Sequence, residues 1–192
     1  EGVMTGQGKG AIDTLLAESF KELALKQPIE KITIKEITDK AGVIRPTFYN
    51  HFQDKYELIE WIIKTELLEP IKPLLNAGMI FEAIVLMLNN ISANSVFYKK
   101  ALKLEGAVTF NQIAMKCVCE MFMNIISEKS TGKKSKYRWL TPEVISTYYA
   151  QSLCFITEGW IAQGMDDIEP KEMAEAYMYL ITRSMDDILS EL

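Results

Sequence analysis

Arg45, Thr47, Tyr49, Asn50, His51 and Lys55 stand close together in one short stretch, and their side chains suit the edges and backbone of a nucleic-acid duplex. An arginine can take both acceptors of guanine, an asparagine can pair with adenine, and a threonine methyl can touch that of thymine. Tyr49, His51 and Lys55 are better matched to phosphate oxygens, which fix register without reading sequence. Pro46 stands on the same short element at a first-turn position, where a missing N–H forfeits no helical hydrogen bond. Thr33 and Lys35, just upstream, complete the set of expected DNA-binding residues.

Other chemistry is poorly supplied. The pair Cys117-x-Cys119 has the look of half a metal knuckle, but residues two apart on a helix face different directions. Cys154 is distant, and the single histidine already belongs to the duplex-facing set, so no metal or cofactor is expected. A serine or cysteine nucleophile wants a neighbouring base, and no glycine-rich phosphate loop follows a strand. An enzyme is therefore not expected.

The residues named first need an element to hold them. Thr33 is a good N-cap with Glu36 three residues on, a capping box, and Ile32 and Ile37 fall where a hydrophobic staple puts them. Gly42 then ends that helix, glycine being the residue best suited to a helix C-terminus. A second short helix is predicted from Arg45 to His51, with Phe48 and Phe52 turned inward and Arg45, Thr47, Tyr49, Asn50 and His51 outward. Asp54 caps the next helix, with Glu57 three residues later. Two short helices across a tight glycine turn make the helix-turn-helix that lays its second helix in the major groove.

The run Thr33-Ile34-Lys35-Glu36-Ile37, then Ala41-Gly42-Val43, then Thr47 to Lys55 (TFYNHFQDK) resembles the signature of the tetracycline-repressor (TetR) family. The resemblance implies a dimeric transcription regulator, most often a repressor, with an N-terminal helix-turn-helix domain and a C-terminal helical domain that dimerises and binds a small-molecule effector. It departs at Ile44, where the family usually has a small capping residue such as Ser; losing that cap costs about 1 kcal/mol of helix stability. The Ile-Arg pair, the Phe-Tyr-Asn run and Trp61 are similar to the dihydroxyacetone kinase regulator branch. That narrower likeness implies an alternative, a coactivator-type protein that docks on a ligand-sensing partner subunit.

A chain of 192 residues, 48% hydrophobic and 24% charged, has the composition of a globular protein. Its net charge of −5 does not exclude DNA, because local placement decides. Lys31, Lys35, Lys40, Arg45 and Lys55 gather around the expected face, a thinly basic one, so a modest and salt-sensitive affinity follows. Three cysteines make no even-numbered disulfide framework, nothing resembles a signal peptide, and no apolar run is long enough to span a bilayer. A reduced, cytoplasmic setting without a membrane partner is expected.

Glycine-rich residues 1–10 read as a flexible arm, with Met4 as the natural start; Lys9 could reach a minor groove. Residues 11–55 form the helix-turn-helix domain and 56–192 a C-terminal regulatory and dimerisation domain, so the fold class is all-α. The first helix, Ala11 to Lys26, carries Ile12, Leu15, Leu16, Ser19, Phe20 and Leu23 on one face. Leu58, Ile59, Ile62, Ile63 and Leu67 continue the pattern until Pro70 and Pro73 break it. Further helices are predicted over 79–94, 96–104, 110–129, 142–164 and 170–192, with a basic loop at 130–139.

The last two helices carry wide apolar stripes. Ile145, Tyr148, Ser152, Ile156 and Gly159 on one, with Met173, Tyr177, Leu180, Ser184 and Ile188 on the other, are the expected dimer interface, a four-helix bundle between copies. Met87, Phe97, Phe110, Met121, Phe122, Tyr149, Phe155 and Trp160 supply soft and aromatic surface that could line an effector pocket. The partners expected are thus a palindromic double-stranded operator, a second copy of the chain and an unidentified effector.

Overall fold

Leu16, Phe20, Ile37, Phe48 and Leu58 have no exposed surface, and the first four helices close around them. The computed structural model describes residues 6–129 and 135–191, with side chains from residue 10 onward. The first helices are α1 (Gly6–Lys26), α2 (Ile34–Ala41), α3 (Arg45–Tyr49) and α4 (Lys55–Ile62), with a 3-10 turn at Ile29–Lys31. Burying each such large apolar side chain contributes about 1.5–3 kcal/mol. Helix α1 starts at Gly6, inside the expected arm; the reading of Lys9 as a groove contact lies outside the described side chains. Its buried face is rotated slightly from expectation: Leu15 is exposed, while Ala17 and Ala24 are buried beside Leu16 and Phe20.

After α4 the chain widens into a π-helical turn, Ile63–Leu68, in which the Glu69 N–H reaches back to the Lys64 carbonyl at 2.8 Å. The cause is in the sequence. Pro70 has no N–H for the Glu66 carbonyl, and a ladder missing one rung is where such a turn forms. Asn90 fills the vacancy, its Nδ2 donating to Glu66 O at 3.0 Å.

Beyond it run α5 (Lys72–Asn76), α6 (Ile80–Ala93), α7 (Ser95–Ala101), α8 (Phe110–Lys129), α9 (Pro142–Ala162), α10 (Pro170–Thr182) and α11 (Met185–Glu191). All described elements are helical, as the patterning predicts. Helix α8 packs along α9, and α10 lies on α6. Residues 130–134 of the expected basic loop, and Leu192, lie outside the described residues.

The expected single helix over 170–192 is two. Arg183 is extended, and Ser184 opens α11: its Oγ accepts from the Asp187 N–H at 3.1 Å, while the Asp187 carboxylate accepts from the Ser184 N–H at 3.2 Å. Ser184 is therefore a helix cap in a capping box, not a member of a continuous interface stripe.

The two halves are joined firmly. Phe20 of α1 meets Phe97 of α7 edge-on at 6.1 Å, Lys21 pairs with Glu66 at 2.7 Å, and Lys100 Nζ donates to Leu25 O at 3.2 Å.

Candidate nucleic-acid interface and effector cavity

Thr33 Oγ1 accepts from the Glu36 N–H at 3.2 Å and the Glu36 carboxylate accepts from the Thr33 N–H at 2.8 Å, so α2 begins with both groups of its box paired. Gln27 donates to the same carboxylate, and these bonds hold the Glu36 carboxyl below its ordinary range. Gly42 is left-handed, φ 68°, which an L side chain adopts only with strain. The Val43 N–H then returns to the Thr38 carbonyl at 3.0 Å. That closure aims α3 away from α2, and Phe48 anchors it: the Phe48 ring sits 5.8 Å from Phe52, and Phe52 meets Trp61 edge-on at 6.2 Å.

With Phe48 inward, Arg45, Pro46, Tyr49 and Asn50 are exposed and Thr47 is half-exposed; Thr33 and Lys35 are exposed at the start of α2. Two expected members are elsewhere. His51 lies past the end of the five-residue α3, its side chain is 3% exposed, and its Nδ1 is 2.6 Å from Asp13 Oδ1 of α1. It ties α1 to the end of α3 and does not face outward. Lys55 Nζ donates to the carbonyls of Ile29, Glu30 and Ile32 at 2.9, 2.7 and 3.0 Å. Those three bonds use all its protons, and burial draws its pKa down. It fastens the 3-10 turn and leaves nothing for a phosphate.

The basic surface is thinner still than expected. Lys35 pairs with Asp39 and Lys40 with Glu22, whereas Arg45 and Lys31 make no ion pair among the described residues. Sequence reasoning also missed a contact surface: Ile44, read only as a lost cap, is 69% exposed beside Arg45. An exposed aliphatic group there suits a thymine methyl.

In the C-terminal half a cavity of about 40 Å³ lies among the π turn, α6, α7, α8 and α9. Of the eight expected lining residues it brings Met87 and Phe110 together, alongside Leu67, Tyr98, Leu153 and Thr157. The other six are placed otherwise. Phe97 is spent on Phe20, Met121 is buried outside the cavity, and Phe122 packs against Tyr149 at 6.3 Å. Tyr149 and Phe155 are 40% and 75% exposed on α9, and Trp160 Nε1 donates to Ile168 O at 2.9 Å, closing the α9–α10 connection.

Thr157 is the polar lining residue that counting aromatic and methionine side chains could not find. Tyr98 is fully buried, and its hydroxyl and Thr157 Oγ1 have no hydrogen-bond partner. An unpaired buried hydroxyl costs about 1–3 kcal/mol.

On the outside of α9, Tyr148 and Phe155 are 67% and 75% exposed, with Gly159 exposed on the same stripe and Leu180 47% exposed on α10. Ile145, Ile156, Met173 and Ile188 are half-buried beside them. Tyr177, by contrast, is buried within the subunit, its hydroxyl 3.1 Å from Ser152 Oγ, which itself donates to Tyr149 O. These two latch α10 to α9 and are not available to a second copy.

No group of three or more His, Cys, Asp or Glu side chains is placed to hold a metal among the described residues. Burial pushes the Cys117 and Cys154 thiols up to about 12, so neither is a ready nucleophile. No single described helix is long and apolar enough to cross a membrane.

Residues 20–62 match the profile described as bacterial regulatory proteins, tetR family, and residues 79–183 match one described as a transcriptional regulator C-terminal region. The HTH-type dhaKLM operon transcriptional activator DhaS of Lactococcus lactis subsp. lactis (strain IL1403) is 28% identical over 152 residues, 78% of this chain and 79% of that one. Among solved structures, the dihydroxyacetone kinase operon activator DhaS aligns with TM-score 0.62 and 22% identity over 88% of this chain and 93% of its own. The Thermus thermophilus FadR repressor in complex with lauroyl-CoA aligns with TM-score 0.60 and 15% identity over 90% and 94%. NalD of Pseudomonas aeruginosa, a repressor of the MexAB-OprM efflux pump, aligns with TM-score 0.58 and 13% identity over 90% and 96%.

Proposed function

The chain belongs to the tetR family of bacterial regulatory proteins, a family of transcriptional regulators and not of enzymes, and on that premise we propose that it is a dimer that binds a palindromic operator in the cytoplasm. The observation that carries this reading is the outward set on α3: Arg45, Pro46, Tyr49 and Asn50 exposed around a buried Phe48, with Ile44 beside them. Arg45 and Asn50 read bases, Ile44 and Thr47 meet methyl groups, and Tyr49, Thr33 and Lys35 contact phosphates. Two copies joined through Tyr148, Phe155, Gly159 and Leu180 present two such helices to half-sites about 34–36 Å apart. With Lys55 engaged internally, few phosphates are neutralised, and the salt dependence of binding, about −0.9 per phosphate contact in logarithmic slope, is shallow for a DNA-binding dimer.

A small effector in the C-terminal half biases the spacing of the two reading helices, changing operator affinity by a coupling free energy of ~1–3 kcal/mol. The Phe20–Phe97 and Lys21–Glu66 contacts supply the mechanical link from that half to α1. Repression is the family's common outcome, whereas the relative from Lactococcus lactis is an activator.

One observation favours a second reading. The cavity, about 40 Å³, is far below the ~300–1,000 Å³ of ordinary ligand sites. Tyr137 and Trp139, 61% and 74% exposed ahead of α9, flank a surface suited to a protein partner. In that reading a ligand-sensing subunit docks there and the chain acts as its DNA-binding arm.

Selection of duplexes from a random pool by the purified full chain tests the first reading. Enrichment of a palindrome is expected, with Arg45→Ala and Asn50→Ala each relaxing preference at one base and costing about 1–3 kcal/mol. A pool with no enriched palindrome, or two variants that select as the wild type does, would overturn it.

A further inference from the structure

We propose that the short last helix, α11, seats on the second copy of the chain, laying Met185 and Leu189 into the surface groove that Trp139 and Tyr148 wall at the start of α9. The proposal rests on the dimer reading above and adds a reciprocal clasp at the edge of the α9 and α10 stripe.

Packing within the subunit does not account for α11. The helix buries no residue, and only Ile188 is half-buried. At seven residues it is too short to hold itself, since isolated helices below about 12–15 residues are marginal in water. Its ties to its own chain are the Ser184–Asp187 box and the Glu191 carboxylate, which accepts from the Tyr179 hydroxyl and lies 3.6 Å from Arg183. Met185 and Leu189, one turn apart on the same face, are 75% and 61% exposed. The helix is thus capped and anchored at its ends, while its apolar face is bare.

A groove of about 760 Å³ at the start of α9 matches that face. Trp139, Leu140, Val144 and Tyr148 wall it, and Glu143 is its one charged residue. Charge selects the occupant. Helix α11 carries Asp186, Asp187 and Glu191 and no basic residue, whereas Lys136 and Arg138 stand exposed just ahead of Trp139 with no acidic residue in 135–142. Opposite charges of this kind fix the register of an association. Placement agrees. Tyr177 of α10 meets Ser152 of α9, and Trp160 closes the connection on Ile168, so α10 returns along α9 and α11 leaves it toward the start of α9. A two-fold interface is reciprocal, and each subunit offers the other one groove and one helix. Tyr148 belongs both to the groove and to the outer stripe with Phe155, so the clasp continues the surface that the second copy covers.

The test reads Trp139 fluorescence in the full chain, with acrylamide as quencher and Trp139→Phe as the blank for Trp61 and Trp160. Trp139 should be quenched freely when dilution separates the subunits and be shielded in the dimer. Leu189→Asp, a change at an exposed residue, should unshield Trp139 at concentrations where sedimentation equilibrium still finds a dimer. It should also raise the dimer dissociation constant about tenfold, through the loss of one buried leucine. Mixing that variant with excess Trp139→Phe chain should restore the shielding, because each hybrid joins the intact groove of one chain to the intact helix of the other. A dimer whose Trp139 is as open as in the monomer, no effect of Leu189→Asp, or no recovery on mixing would overturn the proposal. The first of these outcomes leaves the face free for a ligand-sensing subunit, and the last places α11 on its own chain; both spare the dimer. A chain that stays monomeric at every concentration sinks the dimer reading as well.

Discussion

The two halves of the molecule dispose their polar and apolar groups in opposite ways. Around α2 and α3 the buried hydroxyl of Thr38 is paired, the buried His51 ring meets Asp13, and the helix starts at Thr33 and Asp54 are capped by side chains. In the C-terminal half two hydroxyls are buried without partners, while Trp139, Tyr148 and Phe155 stand in solvent. The first half pairs its buried polar groups internally and exposes the polar side of α3. The second leaves large apolar side chains on its outer face and two hydroxyls unpaired in its interior.

That contrast can be broken or sharpened. Phe48→Ala removes the pin of α3 and should cost ~3–5 kcal/mol in denaturant unfolding, with loss of duplex binding. Lys55→Met should cost ~1.5–3 kcal/mol through the three carbonyls it leaves behind; a variant as stable as the wild type but weaker on every duplex would restore Lys55 to a phosphate role. Phe155→Asp should leave the circular dichroism of the subunit intact and raise the dimer dissociation constant by at least about tenfold, or ~1.4 kcal/mol, in sedimentation equilibrium. Thr33→Ala should cost ~1 kcal/mol by removing the cap of α2.

The smallest effect concerns pH. Glu36 titrates below its ordinary value of 4.5 because Gln27 and Thr33 bond its charged form. A group with a lowered folded-state pKa contributes stability above its unfolded value and loses it as pH falls through the folded one. Stability of the wild type should therefore fall more than that of Glu36→Gln as pH drops from about 5 toward 3. Parallel curves would show that the box contributes nothing through charge.

Much of the first half was legible because its signals are local. Thr33 with Glu36, Gly42, Pro46 and the Phe48–Phe52 spacing each act within a few residues, and each sits where its local rule puts it. His51 and Lys55 were misplaced because their partners are remote: Asp13 lies far up the chain, and Lys55 reaches back to carbonyls of the 3-10 turn. Most of the cavity lining was misassigned for a related reason. Aromatic and methionine content reports that a half is rich in soft side chains, not which of them face one another, and Phe155 points out while Tyr98 points in. The break at Arg183 was legible but overlooked: Ser184-Met185-Asp186-Asp187 spells a capping box, hidden under an apolar period that runs across it.

Pro70 has one more effect. By denying Glu66 its ordinary partner it leaves the six residues 63–68 wound one residue slack, and that slackness holds Glu66 against Lys21 while Ile63, Leu67 and Leu68 face the interior space. Taking up the slack would turn the segment by about 100° per residue gained and advance it by about 1.5 Å. The carboxylate gripping α1 and the side chains touching the cavity are thus threaded on the same loosened coil, and neither can be rewound while the other stays still.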